Sequence, residues 1–270
     1  MIYIIGGEGF VGSAYVRLCR ARGLQHRIIT RASYDVHIGT SCDVLINANG
    51  NSKKFVADRD PKGEFDASVR SVLHSLEDFN ARRYVFLSTG DVYPDQTSPT
   101  VSAEDHTIDS RRQSRYGLHK HLAEQLVLAR HPRPLVMRMG GFVGPGMRKN
   151  AIFDMLHDQP VWLTPDSELQ FIGTDTVADL VWSLVEGEVS GEIINAGPRG
   201  TVRIGDVHAR LGSRSTFAPE ARKTRFEIAT DKLAHLSGRS LPEASAEVER
   251  YCQSIGRPLE PCPSGLNRLG

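Results

Sequence analysis

The sequence predicts an α/β protein: a Rossmann-type doubly wound parallel sheet with a small C-terminal lobe. Three observations carry that expectation. Short apolar runs without polar alternation (Ile2 to Ile5, Asp43-Val-Leu-Ile46, Arg83 to Ser88 and Leu135 to Met139) read as strands buried on both faces. Stretches with apolar residues at helical spacing separate them. The first run passes directly into Gly6, Gly9 and Gly12, three apart, and then into a helical stripe of Val11, Tyr15, Leu18 and Cys19.

Strand, glycine turn and helix, in that order, are the phosphate cradle of a dinucleotide-binding βαβ unit. Gly6 permits the tight turn, Gly9 lets the backbone approach a pyrophosphate, and Gly12 lets helix and strand pack. Phe10 and Val11 lie inside the turn and count with it as cofactor contacts. The helix start adds unpaired N–H groups and a partial positive charge. Glycine trios also occur in ordinary tight turns, so the flanking strand and helix are what give the signal weight.

Gln25 to Thr30 reads as the second strand. Sites that select NAD usually place Asp or Glu near its end, on the adenosine ribose. This chain has Thr30-Arg31-Ala32-Ser33 instead. An arginine attracts a 2′-phosphate and no carboxylate repels it, so Thr30 and Arg31 point to NADP(H), with NAD as the alternative. The plainer reading of Arg31 is a solvated loop residue. The third strand ends in Asn47-Ala-Asn-Gly50, which makes Asn49 and Gly50 candidate cofactor contacts; a turn that simply needs Asn and Gly is an equal reading.

Asp60 to Ala81 carries Phe65, Val69, Val72, Leu73, Leu76 and Phe79 at helical spacing and reads as core or dimer surface. The fourth strand ends in Ser88-Thr-Gly-Asp-Val-Tyr-Pro94. After a polar loop, Tyr116-Gly-Leu-His-Lys120 opens a helix with Leu118, Leu122, Leu126 and Val127. Tyr116 and Lys120 share one helical face, a spacing that is common by chance.

With 270 residues, 40% of them hydrophobic, the chain can bury one large domain or a domain with a small lobe. Its net charge of +1 gives no field that would select nucleic acid or a membrane surface. No run of about 18 apolar residues suggests a membrane span. The first core strand at the N-terminus leaves no room for a signal peptide, so a cytoplasmic protein is expected. Cys19, Cys42, Cys252 and Cys262 lack metal spacing and read as reduced thiols. His106, His119 and His121 likewise suggest no metal, and the helical ones read as surface residues.

Taken together, the motifs resemble the extended short-chain dehydrogenase/reductases, the NAD-dependent epimerase/dehydratase family. The resemblance rests on Gly6-x-x-Gly9-Phe-Val-Gly12, Asp43-Val-Leu-Ile46, Ser88-Thr89-x-x-Val92-Tyr93, Tyr116-x-x-x-Lys120, Arg138 with Val143-Gly-Pro-Gly146, and Phe171-Ile-x-x-x-x-Val-Ala178. It spans roughly residues 1 to 200, in family order. It implies an NAD(P)-binding core over 1–140 and a mainly substrate-binding lobe over 141–270, with 171–196 returning to the core sheet. Within that lobe, 201–230 covers the crevice and 231–256 closes it with helix; the tail from Pro258 reads as irregular.

The resemblance implies Thr89, Tyr116 and Lys120 as catalytic residues, with Asp91 as a further acid or base. A free tyrosine titrates near about 10, so a lysine ammonium one turn away and a positive nicotinamide would be needed to lower it. Lys120 would also hold the nicotinamide ribose, and Thr89 the substrate oxygen. Two departures matter. Gly141 stands where relatives often carry Asn near the sugar-nucleotide phosphate, so Arg148 and Lys149 become substitute phosphate contacts, or simply a solvated basic turn. Gly90-Asp91 stands where dehydratases carry Asp-Glu. The leading expectation is NADPH-dependent reduction of a keto group on a nucleotide-activated deoxysugar. Epimerisation or dehydration with a recycled cofactor is the alternative, and a non-catalytic dinucleotide sensor a third. A homodimer through helices Glu64–Asn80 and Ser114–Arg130 is expected by the same resemblance.

Overall fold

The computed structural model describes residues 1–50 and 54–261; Cys262 and the rest of the tail lie outside the described residues. The first strands are β1 (Ile2–Ile5), β2 (His26–Ile29), β3 (Ser41–Asn47), β4 (Asn80–Thr89) and β5 (Pro134–Met139). Next come β6 (Gly141–Val143), β7 (Val161–Leu163), β8 (Glu168–Leu169), β9 (Phe171–Gly173) and β10 (Glu192–Ala196). Six of these form one sheet in the order β10-β5-β4-β3-β1-β2, all pairs parallel.

Every residue of β1 and of β5 is buried, as expected of strands covered on both faces. Alternate side chains feed two cores. Ile2, Ile4, Val44, Ile46, Leu87 and Met137 face α1 (Gly12–Ala21) and a late helix over Thr174–Glu186. Tyr3, Ile5, Leu45, Tyr84, Phe86 and Val136 face the opposite layer. Truncating one such residue, Ile4→Ala for instance, is expected to cost about 2–5 kcal/mol.

The chain steps from β1 outward to β2, then returns to place β3 on the other side of β1. That reversal is where α/β sheets open a crevice beyond the carboxyl ends of their strands.

The segment read as one helix over Asp60 to Ala81 is broken. After α2 (Val56–Arg59), it divides into α3 (Pro61–Phe65), a π-helical turn over Asp66–Arg70, and α4 (Ser71–Asp78). Asp60 caps α3 by accepting the Gly63 N–H at 3.0 Å. Phe79 is already extended (φ −121°, ψ 138°), and Asn80 and Ala81 begin β4. Phe79 continues the apolar stripe because its ring is buried edge-on to Tyr34 and Tyr3, at 5.1 and 6.0 Å between centroids, although the helix has ended.

The helix α5 spans Arg115–Arg130, followed in order by α6 (Ala151–Leu156), α7 (Thr174–Glu186), α8 (Ile204–Leu211), α9 (Asp231–Ser237) and α10 (Ala244–Ser254). The remaining strands are β11 (Val202–Arg203), β12 (Phe217–Arg222) and β13 (Arg225–Phe226). β8 pairs with β11 and β13, β7 with β12, and β6 with β9. Phe171–Gly173 thus pairs with Gly141–Val143 and not with the central sheet, while α7 packs on α1 and β10 forms the sheet edge. A third core, built from Val143, Ile152, Met155, Val161, Ile204 and Val248, holds this part together. Among the described residues no helix is long and apolar enough to cross a membrane.

Candidate active site

The glycine loop is compact for a local reason. Gly6 has φ +76°, and a Cβ there would lie 2.9 Å from the Ala48 carbonyl oxygen at the end of β3. A methyl on Gly12 would overlap the Gly6 carbonyl, so α1 starts directly against the turn. The Gly9 N–H donates to that same carbonyl oxygen at 2.9 Å, and Gly9 itself is exposed. Val11 stands at the head of α1, and the Phe10 ring packs edge-on against Phe142 of β6, with 6.3 Å between centroids.

A cleft of about 870 Å³ opens at the switch point, lined in part by Gly6, Thr30, Arg31, Asn49, Gly50 and Glu64. Its size and its glycine floor fit a dinucleotide. Thr30 is fixed by Ser33, whose Oγ accepts the Thr30 N–H at 3.0 Å. Arg31 is exposed and has no ion-pair or hydrogen-bond partner among the described residues. The Asn49 N–H donates to Asn47 Oδ1 at 3.0 Å, and Asn47 is anchored to Tyr84 Oη at 2.7 Å. Gly50 (φ +149°) forms the boundary with the next group of residues: a Cβ on it would lie 3.7 Å from Lys120 Nζ.

Tyr116 and Lys120 stand on the first turns of α5. Ser114 caps this helix, accepting the Gly117 N–H at 3.0 Å. Gly117 is what brings α5 to the end of β4, because any side chain there would overlap the Asp91 carbonyl oxygen. Lys120 is 3% exposed; its Nζ donates to the Leu87 carbonyl at 2.9 Å and lies 4.2 Å from the Phe86 ring centre. Burial pulls its ammonium down to about 8, against the opposing pull of Glu124 and Glu64. The Tyr116 hydroxyl is pushed well above its ordinary value, first by burial and then by the negative charges of Asp91 and Glu64. A hydroxyl shifted in that direction stays protonated at neutral pH.

Thr89 Oγ1 donates to Asp91 Oδ2 at 2.9 Å and accepts the Asp91 N–H at 3.2 Å. Asp91 Oδ1 pairs with Lys54 Nζ at 2.6 Å. Asp91 therefore does not cap the backbone of Ser88 or Tyr93; the Tyr93 N–H goes to the Gly90 carbonyl. A Cβ on Gly90 would meet Phe226 at 3.0 Å and Ile228 at 3.2 Å, so the lobe packs closely against this position. Gly141 is similarly constrained: a Cβ would lie 2.6 Å from the Gln170 carbonyl oxygen. Arg148 and Lys149 sit in an exposed turn before α6, away from the cleft lining.

Behind these groups runs a buried network. Arg138 on β5 and Glu124 on α5, 2% and 0% exposed, pair at 2.8 Å. Ser88 Oγ donates to Glu124 at 2.5 Å, Arg138 to Tyr93 Oη at 2.8 Å, and Tyr93 to Asn195 on β10 at 2.9 Å. It ties the ends of β4, β5 and β10 to α5, and so fixes Thr89 relative to Tyr116.

Sequence reasoning missed several members of this site. Lys54 pairs with Asp91 across 37 positions and has no local signature. Glu64 lay inside a stripe read for its apolar residues, yet it is buried. His119, read as a surface residue, is also buried, in direct contact with Glu64. His121 is half-buried and faces Gln113. The spacing Glu64-x-x-x-Ser68 was the available signal, since both point to one helical face.

Fold and site together define a nicotinamide-dinucleotide enzyme of the short-chain dehydrogenase/reductase type. Residues 2–197 match the NAD dependent epimerase/dehydratase family, and the chain belongs to it. No curated protein sequence matches the chain. Among solved structures it is similar to a UDP-galactose 4-epimerase at 21% identity and TM-score 0.77, covering 94% of this chain and 98% of that one. UDP-glucuronic acid 4-epimerase from Bacillus cereus, in complex with UDP-glucuronic acid and NAD, is 17% identical with TM-score 0.74, covering 94% and 98%. RMD from Pseudomonas aeruginosa, complexed with NADPH, is 18% identical with TM-score 0.73, covering 94% and 99%.

Proposed function

We propose that the chain is an NADPH-dependent reductase of a keto group on a nucleotide-activated, deoxy-type sugar. The observation that carries this reading is the half-buried Tyr116 one helical turn from Lys120, packed by Gly117 onto the Thr89–Asp91 turn. The glycine turn and the cleft beside it would hold a dihydronicotinamide dinucleotide, which would supply the hydride for the carbonyl carbon. Tyr116 donates its proton to the carbonyl oxygen as that oxygen gains electrons, which yields the alcohol. Lys120 would hold the nicotinamide ribose, and its ammonium stabilises the phenolate left behind until a solvent proton restores it. Thr89 orients the substrate oxygen toward Tyr116. Arg31, just after β2 and without a partner among the described residues, favours a 2′-phosphate and hence NADPH.

The same three groups serve epimerisation with a retained cofactor, and the placement of Asp91 on Thr89 favours that as the second reading. Dehydration is disfavoured, because position 90 is a glycine and carries no acid, and Phe226 and Ile228 crowd it.

The test mixes the protein with NADPH and a panel of nucleotide-linked keto sugars, following nicotinamide absorbance and sugar products together. Stoichiometric loss of NADPH with one new alcohol is expected. A changed sugar without net cofactor loss moves the assignment to an epimerase. Tyr116→Phe is expected to lower kcat by about 10²–10⁴-fold while sparing NADPH binding. Substantial turnover in that variant sinks the mechanism.

A further inference from the structure

Two buried ionisable groups beside the Tyr116–Lys120 turn have no part in the reaction just described. Glu64 on α3 is 1% exposed and His119 on α5 is 8% exposed. Glu64 Oε2 is in direct contact with His119 Nδ1, and Ser68, in the π-helical turn, donates its hydroxyl to the other Glu64 oxygen. The Phe65 ring stands edge-on to the imidazole, 5.3 Å between centroids, and shields the pair from water. A carboxylate held out of water is costly, and an apolar pair would join two helices without that cost. Glu64 also lines the cleft, so the pair sits where helix packing meets the cofactor site.

We infer that Glu64 and His119 are a positioning pair for the Tyr116–Lys120 turn, locking the rotation of α5 and setting a negative charge behind Lys120. The inference rests on the reading of Tyr116 and Lys120 as the working groups. Successive helical residues point about 100° apart. Fixing the His119 ring against α3 therefore fixes the direction in which Lys120 leaves the helix, toward Leu87 and Phe86. The charged groups facing this turn are few. Glu64 comes from α3, and Glu124 from α5 itself with Arg138 of β5 behind it. Asp91 comes from the turn after β4, with Lys54 opposite. Glu124 is committed to Arg138 and Asp91 to Lys54, which leaves Glu64 as the carboxylate whose partners, His119 and Ser68, include no Arg or Lys.

The test uses the full chain with NADPH as the probe, reading its dissociation constant by nicotinamide fluorescence from about pH 6 to about pH 10. In the unaltered protein, affinity falls on the alkaline side as Lys120 loses its proton. Glu64→Gln keeps an acceptor for His119 and removes the charge; the alkaline fall then moves to lower pH by about one unit. His119→Asn, which can present a donor near the Nδ1 position, stays within about threefold of the unaltered affinity at neutral pH. His119→Leu, which cannot, loses about tenfold, equivalent to about 1.4 kcal/mol. An alkaline limb unmoved in Glu64→Gln overturns the inference, as does equal loss in the Asn and Leu variants. If Glu64→Gln does not fold, the two His119 variants decide between these outcomes. Absence of NADPH binding by the unaltered protein overturns the cofactor reading itself, and the inference with it.

Discussion

At Lys120 the fold takes an ammonium out of water and gives it one carbonyl and one aromatic face. Its folded value of about 8 lies below that of an exposed lysine. Between those two pH values the unfolded chain carries a proton that the folded chain has released. Stability contributed by this group therefore rises as pH climbs above about 8, and the burial cost is fully present below it. Lys120→Met keeps the volume and removes the charge. Its stability advantage over the unaltered chain should be greatest near pH 7, up to about 3 kcal/mol, and shrink toward about pH 10. Thermal unfolding at several pH values checks this; a pH-independent difference would contradict it. Lys120 and Tyr116 were legible because both ride one helical turn. Lys54 and Glu64 were not, because their partners arrive from other elements.

The helix α5 shows where periodicity misleads. Its buried positions are Gly117, His119, Lys120, Ala123, Glu124 and Val127, while Leu122, part of the expected apolar row, is 41% exposed. The inward face carries polar groups because it holds the site, and Leu122 is left facing outward while Leu118 and Leu126 are half-buried. Phe65 of α3, also apolar, is 40% exposed. That outward face suits the homodimer implied by the resemblance. Light scattering at micromolar concentration should report a dimer, and Leu122→Asp a monomer; a monomeric unaltered chain would remove the expectation. Gly117→Ala tests the inward side. Alanine favours helix, yet its methyl overlaps the Asp91 carbonyl, so the variant should lose about 1–3 kcal/mol in urea unfolding. Its kcat should fall more than its NADPH affinity, since the overlap separates Tyr116 from Thr89 and leaves the glycine cradle intact.

At the scale of the whole molecule, the central sheet was legible because each strand is a buried run that needs no knowledge of its partner. The C-terminal strands were not: several are two or three residues long and are defined only by what they pair with. Nor could composition show that Arg138 and Glu124 would be sealed inside, joining strand ends that are far apart in the chain. Arg138→Leu leaves Glu124 buried without its partner and should cost about 3–5 kcal/mol, read as a lower denaturant midpoint.

The lobe's pairing pattern limits how this protein can be recombined. β7 and β8 precede the edge strand β10, whereas their partners β11, β12 and β13 follow it. The family match ends at residue 197, between the two sets. A graft that exchanged only the residues beyond that point would leave β7 and β8 with foreign partners. Transplanting a relative's specificity requires two separate inserts moved together, one on each side of α7 and β10. The lobe is a single body in space but two cassettes in the gene.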